Sequence, residues 1–180
     1  MDTIRDLLRP AARMPSDMAL VQAKLGDAEH AKAIVTLLDL YAQEKMGIGR
    51  PLSDDVKKRI VPGLRQHPAA IAILAFRTNE PVGVTVCFRG FSTFQGQAVV
   101  NVHDLFVKRE FRGRQIGREL LRFVERKAQS IGAAKITLEV REDNKPALRL
   151  YESDGFEGQR APDGRPRTLF LEKTLPPRKT

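Results

Sequence analysis

The 180-residue chain contains one cysteine, no tryptophan and only two tyrosines. A lone thiol, Cys87, can close no internal disulfide and is too few for a structural zinc site. Lying in an alternating apolar stretch, it reads as a small buried hydrophobe. No apolar run reaches the roughly 20 residues of a membrane span. The start, Met1-Asp2-Thr3, lacks the basic segment and apolar run of a secretory signal. Together these absences lead us to expect a cytoplasmic protein with no metal and no membrane partner.

What is abundant is positive charge: 31 Lys and Arg against 22 Asp and Glu, a formal net charge of +9. Such an excess suggests nucleic acid. The basic residues are nevertheless dispersed, with one local excess between Arg109 and Arg126 and another near the C-terminus. Apart from nine phenylalanines, little is available for stacking on bases. A small anionic ligand explains the first cluster equally well, so no specific nucleic-acid partner is expected. Apolar residues at 42% and charged ones at 29% are ordinary for a globular protein, and the length suits one domain.

We expect residues 1–17, with Pro10 and Pro15, to form an N-terminal arm, 18–175 the domain, and 176–180 a frayed tail. A strand over 19–25 ends at Gly26. Asp27 then caps a helix whose Ile34, Leu37, Leu38 and Tyr41 fall at helical spacing, stopping near Gly47 and Gly49. Ser53 starts another with the stripe Val56, Ile60 and Leu64, which Pro62 kinks or ends early. Strands follow at 71–76, 82–88 and 99–107, separated by turns at 78–81 and 95–97. A helix over 116–131, with Ile116, Leu120, Val124, Ala128 and Ile131 inward, precedes a strand at 135–140. A helix at 145–153 and a strand near 168–172 complete the order. Hairpin-linked strands followed by strand-helix-strand predict an α/β fold, a single domain whose mixed central sheet is flanked by helices.

The stretch Phe111-Arg112-Gly113-Arg114-Gln115-Ile116-Gly117-Arg118-Glu119 lies between a strand and a helix. Free N–H groups and partial positive charge at a helix start suit a pyrophosphate. Gly113 and Gly117 permit close backbone approach, and Arg112 and Arg114 add charge. A plain structural turn is the competing reading of this segment alone. The chain has no P-loop and no Gly-x-Gly-x-x-Gly fingerprint.

This stretch resembles the acetyl-CoA-binding motif of the GNAT superfamily of N-acetyltransferases, Arg/Gln-x-x-Gly-x-Gly/Ala. Here it reads Arg112-x-x-Gln115-x-Gly117, preceded by Leu105-Phe106-Val107. Downstream, Asn144-Lys145-Pro146-Ala147-Leu148-Arg149-Leu150-Tyr151 with Gly155-Phe156 is similar to the family's second signature. The resemblance implies acetyl-CoA as co-substrate, contacted by Leu105, Phe106 and Val107, by Arg112, Gly113, Arg114, Gln115, Ile116, Gly117 and Arg118, and by Asn144. Gln115 departs from the motif's glycine: its amide survives, but its side chain must turn away or meet the ligand. A homodimer is a further expectation, since dimers are frequent in the family.

The resemblance also implies direct acetyl transfer to an amine in a ternary complex, with Tyr151 protonating the departing thiolate. A core tyrosine packed on Phe156 is the alternative. His103 matches a position where several members carry a glutamate or histidine acting as base, and imidazole titrates in a useful range. Alternation sends His103 to one face with Asn101 and Leu105, and Asp104 to the other with Val102 and Phe106. Asp104 is the candidate for orienting a group or attracting a cationic amine. Arg118, Arg122 and Arg126 recur along a helix face that reads as solvated, with Arg118 best placed for a phosphate.

Phe91-Ser92-Thr93-Phe94 and His103-Asp104-Leu105-Phe106-Val107 resemble the diamine acetyltransferase branch, in which a glutamate stands where this chain has His103. Glu139, Glu142 and Asp143 are candidates for compensating charge. A small primary amine is the expected acceptor. A protein or peptide amine is the alternative, as is a non-catalytic domain that only binds acetyl-CoA.

Overall fold

The structure, a computed structural model, describes residues 17–158 and 168–174. The expected arm, Asp17 apart, and the C-terminal tail lie outside those residues.

Six strands form one sheet in chain order: β1 (Met18–Gln22), β2 (Ala70–Arg77), β3 (Glu80–Ser92), β4 (Gln97–Val107), β5 (Lys135–Arg141) and β6 (Thr168–Thr174). All neighbours pair antiparallel except β4 and β5, which run parallel. The helix α3 (Ile116–Ser130) makes that crossover, as parallel pairing requires. The mixed sheet is therefore as expected, with one parallel pair.

Each face of the sheet carries a helical layer. On one side lie α1 (Ala28–Gln43) and α2 (Asp54–Gln66), burying Ile34, Leu37 and Val61 against Leu74, Val84, Val86 and Phe106. On the other lie α3 and α4 (Lys145–Ser153), burying Leu120, Val124 and Leu148 against Ile73, Val100, Val102 and Leu138. Asp27 caps α1, its Oδ1 accepting from the amides of Glu29 and His30 at 2.9 and 3.0 Å. No helix among the described residues is long and apolar enough to cross a membrane.

Two local expectations are corrected. Pro62 does not end α2, which continues to Gln66 with the proline inside it. Pro62 and Lys58 are both exposed, so the Lys58 carbonyl left without its helical donor faces water. Ile60 and Leu64 of the expected stripe pack on the core beside the buried Val61, while Val56 stays 36% exposed. In α3 the buried stripe includes Leu121 beside Leu120, and Ile131 is the residue after its end.

Candidate active site

Strands β4 and β5 are bonded only from Val99–Lys135 to Val102–Leu138. Beyond that point β4 continues to Val107 and β5 to Arg141, so the two facing edges separate into a notch. A β-bulge marks where separation begins: Cys87 pairs with Val102 and Val86 with Asp104, leaving His103 as the extra residue. A bulge bends a strand and increases its twist, which carries β4 away from its neighbour.

The bulge also overturns the expected alternation. Val100 and Val102 pack on the α3 side, and so do Leu105 and Val107, whereas Phe106 packs on the α1 side. Val102 and Phe106 thus lie on opposite faces. The His103 ring meets Phe88, of the α1–α2 layer, edge-on at 5.5 Å. Asp104 lies opposite Val86 of β3, which packs in the α1–α2 layer. His103 and Asp104 therefore face the same helical layer, because the extra residue resets the two-residue period.

The segment 108–115 returns from β4 to α3 through a single 3-10 turn at Arg109–Phe111. Gln115 is the N-cap of α3, with φ 65° and no side-chain bond to the helix amides. That left-handed conformation is the one glycine adopts freely, which gives a backbone reason for glycine in the motif. The first N–H groups of α3 consequently have no side-chain cap. Gly117 serves packing: a Cβ there would meet Leu150 Cδ2 of α4 at 3.2 Å.

Arg112 turns back across the notch. Its Nε donates to the Val107 carbonyl at 2.9 Å, and its Nη2 donates to Glu44 Oε1 of α1 at 2.9 Å. Arg118 reaches the end of α4, donating to Ser153 Oγ at 2.7 Å and to Gln115 Oε1 at 3.2 Å. Its Nε is buried and makes no hydrogen bond, although Asp154 lies 3.9 Å away. Arg122 pairs with Glu119, and the Arg126 guanidinium covers the Phe123 ring. The guanidinium of Arg114 stands 5.6 Å from the centre of the Phe111 ring.

The second signature forms the opposite wall. Asn144 caps α4, its Oδ1 accepting from the Ala147 amide at 3.4 Å, and Pro146 follows in the first turn. Tyr151, seven positions on, is buried beside Phe156 with ring centres 5.9 Å apart. It both packs in the core and reaches the notch. Burial, reinforced by Tyr41, pushes its phenol well above the ordinary range, so the hydroxyl keeps its proton. Burial likewise raises Asp104, with His103 opposing. The Cys87 thiol, buried and bonded to Thr85, is pushed up to about 12 and stays inert.

A cleft of about 580 Å³ passes through the notch. It brings together His103, Leu105, Phe106, Val107, Asn144 and Tyr151 with Arg112, Gly113, Gln115, Ile116, Gly117 and Arg118. Asp104 and Arg114 are not on its lining. It also takes in Glu139, one of the candidates for acidic charge, and residues the sequence reading passed over as site residues: Tyr41, Glu44, Met46 and Arg149. Tyr41 stacks on Phe106 at 5.7 Å, so its place in the apolar stripe of α1 hid it. Glu139, one residue past the β4–β5 ladder, accepts from Asn101 Nδ2 at 3.2 Å. Its position at the end of a parallel strand was the available signal. Asp143 is paired with Arg141.

The uncapped α3 start and the free β4 edge suit a phosphate-bearing ligand with an amide-containing arm, so these residues fit coenzyme A.

Comparison with known proteins bears on the same region. The family model for the acetyltransferase (GNAT) family matches residues 34–156. A thialysine N-epsilon-acetyltransferase from Caenorhabditis elegans is 25% identical over 131 residues, 69% of this chain and 76% of that protein. Among solved structures, the NatC complex bound to Gag peptide and CoA is similar with a TM-score of 0.68 at 21% identity, covering 89% of this chain and 99% of that one. A ribosomal-protein-alanine N-acetyltransferase from Brucella melitensis gives 0.67 at 22% identity, with coverage of 80% and 95%. With two thirds of the chain inside the family match, and a notched sheet with both signatures on its walls, this protein belongs to the GNAT family and is an N-acetyltransferase that uses acetyl-CoA.

Proposed function

We propose that the protein acetylates a small-molecule primary amine by direct transfer, cofactor and acceptor entering the notch from opposite faces of the sheet. The observation that carries this reading is the division of charge in the cleft. The α3–α4 side offers helix amides and Arg149, while Arg112 and Arg141, also on the cleft, are neutralised by Glu44 and Asp143. On the α1–α2 side Glu139 has no cation bound to it among the described residues. Anionic phosphates suit the first half and an ammonium the second. Similarity to thialysine N-epsilon-acetyltransferase supports a small amine over a peptide.

Acetyl-CoA supplies the thioester acetyl group and a thiolate leaving group. In this reading Leu105 and Val107, on the open edge of β4, bind the pantetheine arm, and Asn144 adds a polar contact. The amides of 113–118 take the pyrophosphate. Arg112 acts here by holding the turn to Val107 and Glu44. His103 accepts the proton that the ammonium must lose, and Tyr151, which keeps its proton, delivers one to the departing sulfur. The products are the amide and the free thiol.

The test is thiol release from acetyl-CoA by the purified protein, with small primary amines in one arm and peptides with free N-termini in the other. Turnover with small amines, and a raised KM for them in Glu139→Gln, is expected. Turnover with peptides alone would assign a protein acceptor, and release in neither arm would leave a domain that only binds acetyl-CoA.

A further inference from the structure

Four arginines line the cleft: Arg112, Arg118, Arg141 and Arg149. Three are committed within the protein. Arg112 is held by Glu44 and the Val107 carbonyl, Arg118 by Ser153 and Gln115, and Arg141 by Asp143 in a two-bonded fork of 2.9 Å each. Arg149 has no hydrogen-bond or ion-pair partner among the described residues, and its side chain is exposed. It stands on α4 immediately before Leu150, the residue against which Gly117 of the α3 start is packed. Arg149 thus lines the same cleft as the segment whose amides suit a pyrophosphate, but from the neighbouring helix and at the solvent rim.

Coenzyme A carries two separate anionic groups, the pyrophosphate and a 3′-phosphate on the ribose. The α3 start offers donors for the first. For the second, a solvent-facing arginine on the adjoining wall is the matching chemistry, since a guanidinium binds phosphate through two parallel N–H donors and needs no deep burial. Resting on the cofactor reading above, we infer that Arg149 recognises the 3′-phosphate and makes the protein discriminate between coenzyme A and its dephosphorylated form. Such selectivity comes from the α4 wall and is independent of the motif at the start of α3.

Calorimetric titration of the full chain with coenzyme A and with dephospho-coenzyme A tests this. The unmodified protein should bind coenzyme A about tenfold more tightly, as expected for one charge-assisted contact. Arg149→Gln should lose that factor of about ten for coenzyme A and leave dephospho-coenzyme A unchanged, while Arg149→Lys keeps part of it. Affinity for coenzyme A unaltered in Arg149→Gln would overturn the inference. Equal loss for both ligands would do the same, by assigning Arg149 to the pyrophosphate. If the unmodified protein bound neither ligand, the cofactor reading itself would fail, and this inference with it.

Discussion

Gln115 holds a φ of 65° at the start of α3, a conformation that costs a residue with a Cβ about 1–2 kcal/mol relative to glycine. Its side chain recovers part of this through Arg118 Nη1 at 3.2 Å. Gln115→Gly should therefore stabilise the protein by roughly 0.5–1 kcal/mol in chemical denaturation, the gain reduced by glycine's freedom in the unfolded chain. Asp104 gives a prediction with a sign fixed by burial. Its carboxyl is raised, so its contribution to stability is full below the unfolded value near 3.9 and is lost as pH rises through the folded one. Asp104→Asn should consequently have a higher melting temperature than the parent at neutral pH, with the difference closing near pH 4. Tyr151→Phe keeps the ring beside Phe156 and removes only the hydroxyl. It should lower kcat by about 10²-fold or more and leave coenzyme A affinity within about twofold; unchanged kcat would exclude Tyr151 as the acid.

Among the elements, α2 carries a proline that the helix accommodates and does not need. Pro62→Ala restores the donor to the exposed Lys58 carbonyl and should raise unfolding free energy by about 1–3 kcal/mol. The elements that build the site were legible in the sequence because their patterns are local. Helical spacing and the Asp27 cap gave α1, and the glycine-arginine turn before an amphipathic stretch gave α3. The bulge at His103 was not legible, because nothing in Asn101-Val102-His103-Asp104 distinguishes an extra residue from a regular one. Only the pairing with β3 reveals it, and it alone decides that His103 and Asp104 share a side. Tyr41 was hidden similarly, reading as an ordinary stripe position of α1, and among the three acidic candidates only the parting of the strands singles out Glu139.

For the whole molecule, the net charge of +9 is poorly informative until it is divided among surfaces. Inside the cleft Arg112 and Arg141 are neutralised by Glu44 and Asp143, while Glu139 has no cation bound to it among the described residues, a distribution that supports the cationic acceptor proposed above. In the proposed reading the cofactor lies along β4 from Leu105 to Val107 and under the first turn of α3. Backbone hydrogen exchange on the full chain, with and without coenzyme A, tests it most directly. The edge amides of Leu105 and Val107 and those of residues 113–118 should become protected on binding. Bound coenzyme A that left these amides exchanging as before, and protected another segment, would contradict it.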